Sequence, residues 1–357
     1  LKPGRGRRRA RARALPAAME EAGEPPPLRE ATWHRLCDSP PLYHCKDFLT
    51  PEECSAVLQL VRAAAPVSLS AGGQAKLRVD LDPADPQHPP EAAVLRSIER
   101  RVAALSGVPS HAGEMPWAVH FTPPAAAEGD GGVPEVGREP CLHMSLGLHV
   151  DTNNCRERRW VTFIAYLQST PSVCGGHTVF PLALRRGAVA PSGKGPQRLL
   201  RAAEMLLAGK VQHTGQARNP LLGDEVQEAS GLLLGQAERL ARAAAASGDA
   251  SGPFWGQGGL GLAVSPEQGS CVAFFTRSEG TGGAIDPRSW HGGAAVVAGG
   301  AAAEGRARGK WTLQKFREAP AEALRSCCVE TFAVQHPALQ PCRGGGVRFN
   351  LGEGADG

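Results

Sequence analysis

The chain has 357 residues, 42% of them hydrophobic and 21% charged, with a formal net charge of +4. That length leaves room for one large domain or two small ones, and the composition suits a globular core. Arg5, Arg7, Arg8, Arg9, Arg11 and Arg13 hold the positive excess, so the near-neutral remainder excludes a nucleic-acid groove, and no apolar run reaches the ~18–20 residues that span a bilayer.

Residues 1–40 contain Pro25-Pro26-Pro27 and are expected to be disordered. The basic start is not followed by an apolar stretch, so no complete signal peptide is expected. Residues 1–18 read equally as untranslated sequence ahead of a start at Met19 or as an organellar transit segment. Folded structure is expected from near Tyr43.

Thr50-Pro51-Glu52-Glu53 carries a helix start: Thr as N-cap, Pro at the first helical position and Glu three residues after the cap. Val57, Leu58 and Val61 give that helix an apolar face. A second helix is predicted from about Pro90 to Ser106, with Val94, Leu95, Ile98, Val102 and Leu105 on one stripe and Gly107 and Pro109 ending it.

Strand signals follow. Trp117–Phe121 is short and β-prone, a Gly/Pro/Ala-rich loop (122–140) intervenes, and Arg159–Leu167 is rich in β-branched and aromatic residues. Gly175–Pro181 turns into another strand, and late strands are predicted at Leu260–Val264, Cys271–Thr276 and Lys310–Phe316. Between about 182 and 259 the Leu/Ala spacing changes to a helical one, at Leu199, Leu200, Ala203, Leu206 and Leu207 and again at Leu233, Leu234, Ala237, Leu240 and Ala241. A helical or partly disordered insertion into a β framework is expected there, with no chemistry assigned to it. The pattern as a whole predicts a mainly β domain with flanking helices, a sandwich or barrel, over residues 41–318. A tail at 319–357 has no readable role.

Ten cysteines are scattered without a C-x-x-C pair, so a structural zinc site is not expected and a disulfide framework stays open.

The chemistry is concentrated in Leu148-His149-Val150-Asp151. On a strand, residues two apart share a face, so His149 and Asp151 can offer a nitrogen and a carboxylate oxygen to one metal ion. With 11 histidines and 35 acidic residues such a string arises easily by chance. His291, in Arg288-Ser289-Trp290-His291-Gly292-Gly293, would complete two histidines and one carboxylate on one face of an ion, the arrangement of non-haem Fe(II) oxygenases. His177 is expected at the surface or behind the site, His120 as a core or pocket histidine, and Trp290 and Tyr166 as core or pocket wall.

Taken in order, these strings resemble the prolyl 4-hydroxylase family of Fe(II)/2-oxoglutarate dioxygenases over roughly residues 45–317. The resemblance is carried by Asp47–Cys54, by Ile98–Ala103 with Gly107-Val108-Pro109, and by His149-x-Asp151. It continues through Tyr166-Leu167, Gly175-Gly176-x-Thr178-x-Phe180-Pro181, Gly261–Pro266, Gly269 with Phe274-Phe275, Asp286–Gly292 and Lys310-Trp311. It implies a double-stranded β-helix (jelly-roll) core.

It also implies an enzyme that binds Fe(II) through His149, Asp151 and His291. Such an enzyme uses O2 and 2-oxoglutarate, with ascorbate as auxiliary reductant, and releases succinate and CO2. The implied substrate is a proline-containing polypeptide hydroxylated at C4. The alternatives are another residue or a small molecule as substrate, or a catalytically weak peptide-binding module. Lys310 would bind the far carboxylate of 2-oxoglutarate, and Thr178 would point inward beside it.

Two departures stand out. Lys310 follows His291 at a longer distance than in the family, across the low-complexity Ala298–Gly309, where Arg306 and Arg308 are weaker candidates for the same task. No tyrosine stands just before the H-x-D string, where the family commonly has one to help hold 2-oxoglutarate; Ser145 or His143 would be its substitute. Similar enzymes work in the endoplasmic reticulum or Golgi; a start at Met19 would make the cytoplasm competitive.

Overall fold

The computed structural model describes residues 32–63, 77–82, 92–106, 114–125, 144, 147–152, 159–214, 223–248, 252–277, 284–297, 309–318, 339–341 and 346–349. In chain order the first elements are β1 (Thr32–Ser39), β2 (Pro41–Cys45), α1 (Pro51–Ala63), β3 (Leu77–Leu81), α2 (Ala92–Ser106), β4 (Trp117–Thr122) and β5 (Pro124–Ala125). Next come β6 (Arg159–Tyr166), β7 (Thr178–Arg185), α3 (Lys194–Ala208) and α4 (Asp224–Ser247). The rest are β8 (Pro253–Trp255), β9 (Leu260–Val264), β10 (Cys271–Phe275), β11 (Gly292–Gly293), β12 (Val296–Val297), β13 (Lys310–Glu318), β14 (Leu339–Pro341) and β15 (Gly346–Phe349).

Two antiparallel layers make the core. The first runs β4–β13–β6–β10. The second begins at the isolated pairing of His149 with His291, continues through β11 to β7, and ends at β9 with β8 beyond it. Apart from β7, β8 and β9, which follow one another in the second layer, chain order alternates between layers, which is the winding of a double-stranded β-helix. The β1–β2 hairpin joins the layers along one edge, because β2 pairs with β10 and β1 with β7.

Alternation along the strands sorts the side chains. On β6, Val161, Phe163 and Ala165 enter the core shared with α1 and α2, while Ile164 and Tyr166 face the barrel interior with Phe180, Leu262 and Phe274. Both faces of β6 are therefore covered, and all eight of its residues are buried. Each large side chain so buried contributes on the order of 1.5–3 kcal/mol.

The two early helices form as the sequence predicts. Thr50 Oγ1 accepts from the Glu53 amide at 3.1 Å, and Glu53 Oε2 accepts from the Thr50 amide at 2.9 Å, a reciprocal cap. The other oxygen of Glu53 accepts from Arg101 on α2, whose guanidinium also donates to the Phe48 carbonyl. Arg317 on β13 pairs with Glu114 and Glu99 at 2.6 Å each, which ties the far end of β13 to α2.

Thr32–Ser39 departs from expectation. It is a strand, although residues 1–40 were expected to be disordered and structure to begin near Tyr43. Its partners are β2, β7 and β15, the last of these drawn from the C-terminal tail. Trp33 and Cys37 are buried, and two inward side chains are too few to register in a Pro/Arg-rich window. Residues 1–31 lie outside the described residues.

The insertion is helical. α3 and α4 share one apolar cluster with Val179 of β7 and Ala263 of β9, and also with Leu148, Val150 and Trp290 beside the H-x-D string. Among the described residues, Cys37, Cys45, Cys54, Cys174 and Cys271 are free and buried, and no disulfide is present. Among the described residues no helix is long and apolar enough to cross a membrane.

Candidate metal centre

His149, Asp151 and His291 converge. One potential ligand atom from each lies within 4.8 Å of the others. His149 Nε2 is 3.6 Å from Asp151 Oδ1, and His291 Nε2 is 3.9 Å from Asp151 Oδ2. Nitrogen and oxygen donors bind a divalent transition metal at ~2.0–2.2 Å, so neighbouring donors around an ion stand roughly 3 Å apart. The donor atoms, spread over up to 4.8 Å, therefore have to draw together by between about 0.5 and 2 Å, a side-chain adjustment, and the residues present fit a ferrous ion.

The local route to this cluster is shorter than a full strand. His149 exchanges both backbone hydrogen bonds with His291, at 2.9 and 3.0 Å, and Asp151 already lies in the turn that follows. Gly292 permits the approach. A Cβ there would stand 2.8 Å from the Gly147 carbonyl oxygen and 3.0 Å from Leu148 Cδ2. Asp286 caps the turn ahead of His291 by accepting from the Arg288 amide at 2.8 Å.

The surroundings prepare two of the donors. His291 Nδ1 lies 3.0 Å from the Ser289 carbonyl; a carbonyl only accepts, so Nδ1 carries the proton and the Nε2 lone pair is free for a metal. Burial, reinforced by His149, pushes the His291 imidazole down to about 4, against a smaller opposing effect of Asp151. It is thus neutral, as a ligand must be. Burial alone would raise the Asp151 carboxyl, but His291, His149 and Arg159 outweigh it and hold the group well below the ordinary carboxylate range.

Two residues that the sequence did not single out orient that carboxylate. Thr162 Oγ1 donates to Asp151 Oδ2, and Arg159 Nη1 donates to the Asp151 carbonyl at 3.1 Å while standing 3.8 Å from Oδ1. The period of β6 could have revealed Thr162, since it shares its inward face with Ile164 and Tyr166.

Lys310 and Thr178 meet in a second polar group. Lys310 is buried, and its Nζ donates to Thr178 Oγ1 at 3.2 Å. It starts a strand lying between β4 and β6, so it is not an edge lysine. Gly309 enables this start: at φ 87 a Cβ would lie 2.4 Å from the Phe121 ring and 2.7 Å from the Thr122 carbonyl oxygen. Tyr166, expected as core or wall, joins the group. Its hydroxyl donates to Thr178 Oγ1 at 2.7 Å, and Lys310 Nζ sits 5.4 Å from its ring centre.

His177 faces away from Thr178, but it is fully buried and not at the surface. Its Nε2 lies 3.2 Å from Ser172 Oγ, and burial pushes its imidazole down to about 4. His120 is half-buried on β4. Trp290 is core, donating through Nε1 to the Ala203 carbonyl at 3.3 Å. His143, Ser145, Arg306 and Arg308 lie outside the described residues.

No known protein-family model matches the chain, and no curated protein matches it in sequence. Solved structures do. The 2OG complex of the viral collagen prolyl hydroxylase vCPH from Paramecium Bursaria Chlorella virus-1 matches at 12% identity, covering 77% of this chain and 94% of that one, with a TM-score of 0.34. A Pseudomonas putida prolyl-4-hydroxylase matches at 12% identity over 78% of this chain and 93% of that one, with a TM-score of 0.32. AviO1 from Streptomyces viridochromogenes Tue57 matches at 12% over 80% and 92%, with a TM-score of 0.36. At such scores these matches are likenesses only, and what the centre can do follows from its own atoms.

Proposed function

We propose that this chain is an Fe(II)- and 2-oxoglutarate-dependent dioxygenase that hydroxylates a prolyl residue of a polypeptide at C4. One observation carries the reading: two imidazoles and a carboxylate gathered on one side of a point inside a double-stranded β-helix, with donor atoms within 4.8 Å of one another. When bound, iron and 2-oxoglutarate supply the oxidising chemistry, in which O2 and the cosubstrate yield succinate, CO2 and one hydroxyl group on an unactivated carbon.

The chain's own residues bind and orient. His149, Asp151 and His291 would hold the ion, with the Ser289 carbonyl fixing the His291 tautomer and Thr162 fixing the carboxylate. Lys310 would take the far carboxylate of 2-oxoglutarate as a charge-assisted hydrogen bond, with the hydroxyls of Thr178 and Tyr166 beside it. Tyr166 is then the phenol that the region before the H-x-D string lacks. The apolar interior lined by Phe180, Leu262 and Phe274 would keep bulk water from the reacting atoms. Prolyl specificity is supported by the sequence resemblance.

The test is succinate release from 2-oxoglutarate with a proline-rich peptide, Fe(II) and ascorbate, comparing the wild-type chain with His149→Ala. Wild-type turnover with an added oxygen on proline, lost in the variant, is expected. Equal release by both chains would sink the proposal. An oxygen placed on another residue would keep the chemistry and change the substrate, and absence of metal and 2-oxoglutarate binding would favour a peptide-binding module.

A further inference from the structure

We propose that the helical insertion completes the metal centre, with His213 as the positioning residue that holds the His149 imidazole in its ligating orientation. The inference rests on His149 being a ligand and extends that assignment to a segment whose Leu/Ala pattern suggests no chemistry.

Leu148 and His149 form the outermost strand of their layer. One side is taken by His291. The other would be an open edge, with backbone donors and acceptors facing nothing. The insertion fills it. His149 is bridged to His213 on that side, the Thr214 amide donates to the Leu148 carbonyl at 2.9 Å, and the Leu148 amide donates to Thr214 Oγ1 at 2.7 Å. Thr214 thus satisfies both backbone groups of the residue immediately before the first ligand.

Directly opposed residues in neighbouring strands project their side chains to the same face. His291, His149 and His213 therefore make a row of three imidazoles. The His149 ring lies 4.3 Å from that of His291 and 5.3 Å from that of His213, tilted by 52° and 46°. This matters because the His149 side chain is 29% exposed while that of His291 is 4% exposed. Burial fixes His291. His149 has less of it and needs neighbours to suppress its other rotamers, since a ligand held in place beforehand loses less entropy when the ion binds.

α3 fixes His213 in turn. The helix ends with the Val211 amide donating to the Leu206 carbonyl at 3.0 Å and Lys210 in the left-handed region, which turns the chain sharply from helix to bridge. Val211 is buried in the same cluster as Leu148 and Val150, so the insertion and the ligand strand share a core.

Anaerobic titration with Co(II), a spectroscopically visible stand-in for Fe(II), tests this on the full chain. The wild-type chain should bind Co(II) with d–d bands that His149→Ala removes. His213→Ala should bind about 10-fold more weakly, in the range typical for residues behind a metal ligand, with altered bands and an unchanged apo-protein melting temperature. His213→Phe keeps a flat ring and should restore most of the affinity. Thr214→Val, which preserves side-chain shape, should weaken Co(II) a few-fold and gives an independent arm if His213→Ala fails to fold.

Wild-type affinity in His213→Ala or in Thr214→Val overturns the proposal. So does a His213→Phe variant as weak as His213→Ala, which would make a ring nitrogen and not the ring's bulk the active feature. If the wild-type chain itself bound no Co(II), the functional reading would fall, and the proposal with it, an outcome told apart from the others by the wild-type titration alone.

Discussion

Tyr166 and Lys310 donate to the same oxygen, Thr178 Oγ1, at 2.7 and 3.2 Å. Three strands, β6, β7 and β13, each contribute one member, so the group exists only in the closed barrel. If it receives the far carboxylate of 2-oxoglutarate, the contributions separate by charge. Lys310→Met should raise the KM for 2-oxoglutarate by roughly 10- to 100-fold, in line with ~1.5–3 kcal/mol for a hydrogen bond to a charged group. Tyr166→Phe should raise it only about 5-fold, for ~1 kcal/mol of neutral hydrogen bond. Steady-state succinate assays at varied 2-oxoglutarate check both, and an unchanged KM in Lys310→Met would remove Lys310 from the cosubstrate site.

The bond from Thr162 to Asp151 predicts a loss of metal affinity without loss of fold. Thr162→Val matches the side chain in shape and leaves Asp151 Oδ2 without that donor. Co(II) should bind about 10-fold more weakly. Arg159→Leu should cost more, because Arg159 also stacks 3.9 Å over the Phe316 ring and holds the Asp151 carbonyl. Equal titration curves for Thr162→Val and wild type would show that the carboxylate is oriented by other contacts.

Gly292→Ala should be a stability variant with a metal phenotype. Its new methyl meets the Gly147 carbonyl oxygen and Leu148 Cδ2, and one of these must move. Overpacking of this kind costs ~1–3 kcal/mol. The displacement would separate the His291 strand from the His149 strand, so urea unfolding and Co(II) binding should both weaken. Unaltered values in both measurements would mean that the contact relaxes freely.

Acid should destabilise the fold before the carboxylates titrate. Burial pushes His44 and His177 down to about 4 from 6.5 in the unfolded chain. A base whose folded value is depressed contributes fully above its unfolded value and loses that contribution as pH falls from 6.5 through 4. Each adds ~1.4 kcal/mol per pH unit to the slope of stability near pH 5, because the unfolded state binds one more proton. Urea unfolding of wild type and His177→Asn between pH 7 and 4.5 should differ in slope by about that amount. Parallel slopes would show that His177 titrates normally when folded.

Much of this was legible in the sequence because it is local. The cap of α1 needs only Thr50 and Glu53, three residues apart, and the period of Val94, Leu95, Ile98 and Val102 makes α2 amphipathic without reference to the rest of the chain. β6, β9, β10 and β13 are β-prone runs of the length that strands require. His149-x-Asp151 announced itself as a donor pair in the same way, by types and spacing.

Sequence alone thus determined what each short segment can form and which side chains offer donors that could take a metal, because propensity, capping and donor type are properties of a few neighbouring residues. Only tertiary structure decided who meets whom. It made a strand of Thr32–Ser39 by supplying partners from both ends of the chain. It turned Tyr166 from wall into a hydroxyl donor beside Lys310, and it brought His213 from the insertion to His149. Those contacts join residues far apart in the chain, and the free energy that selects them comes from burying their surfaces together, which no local window of sequence contains.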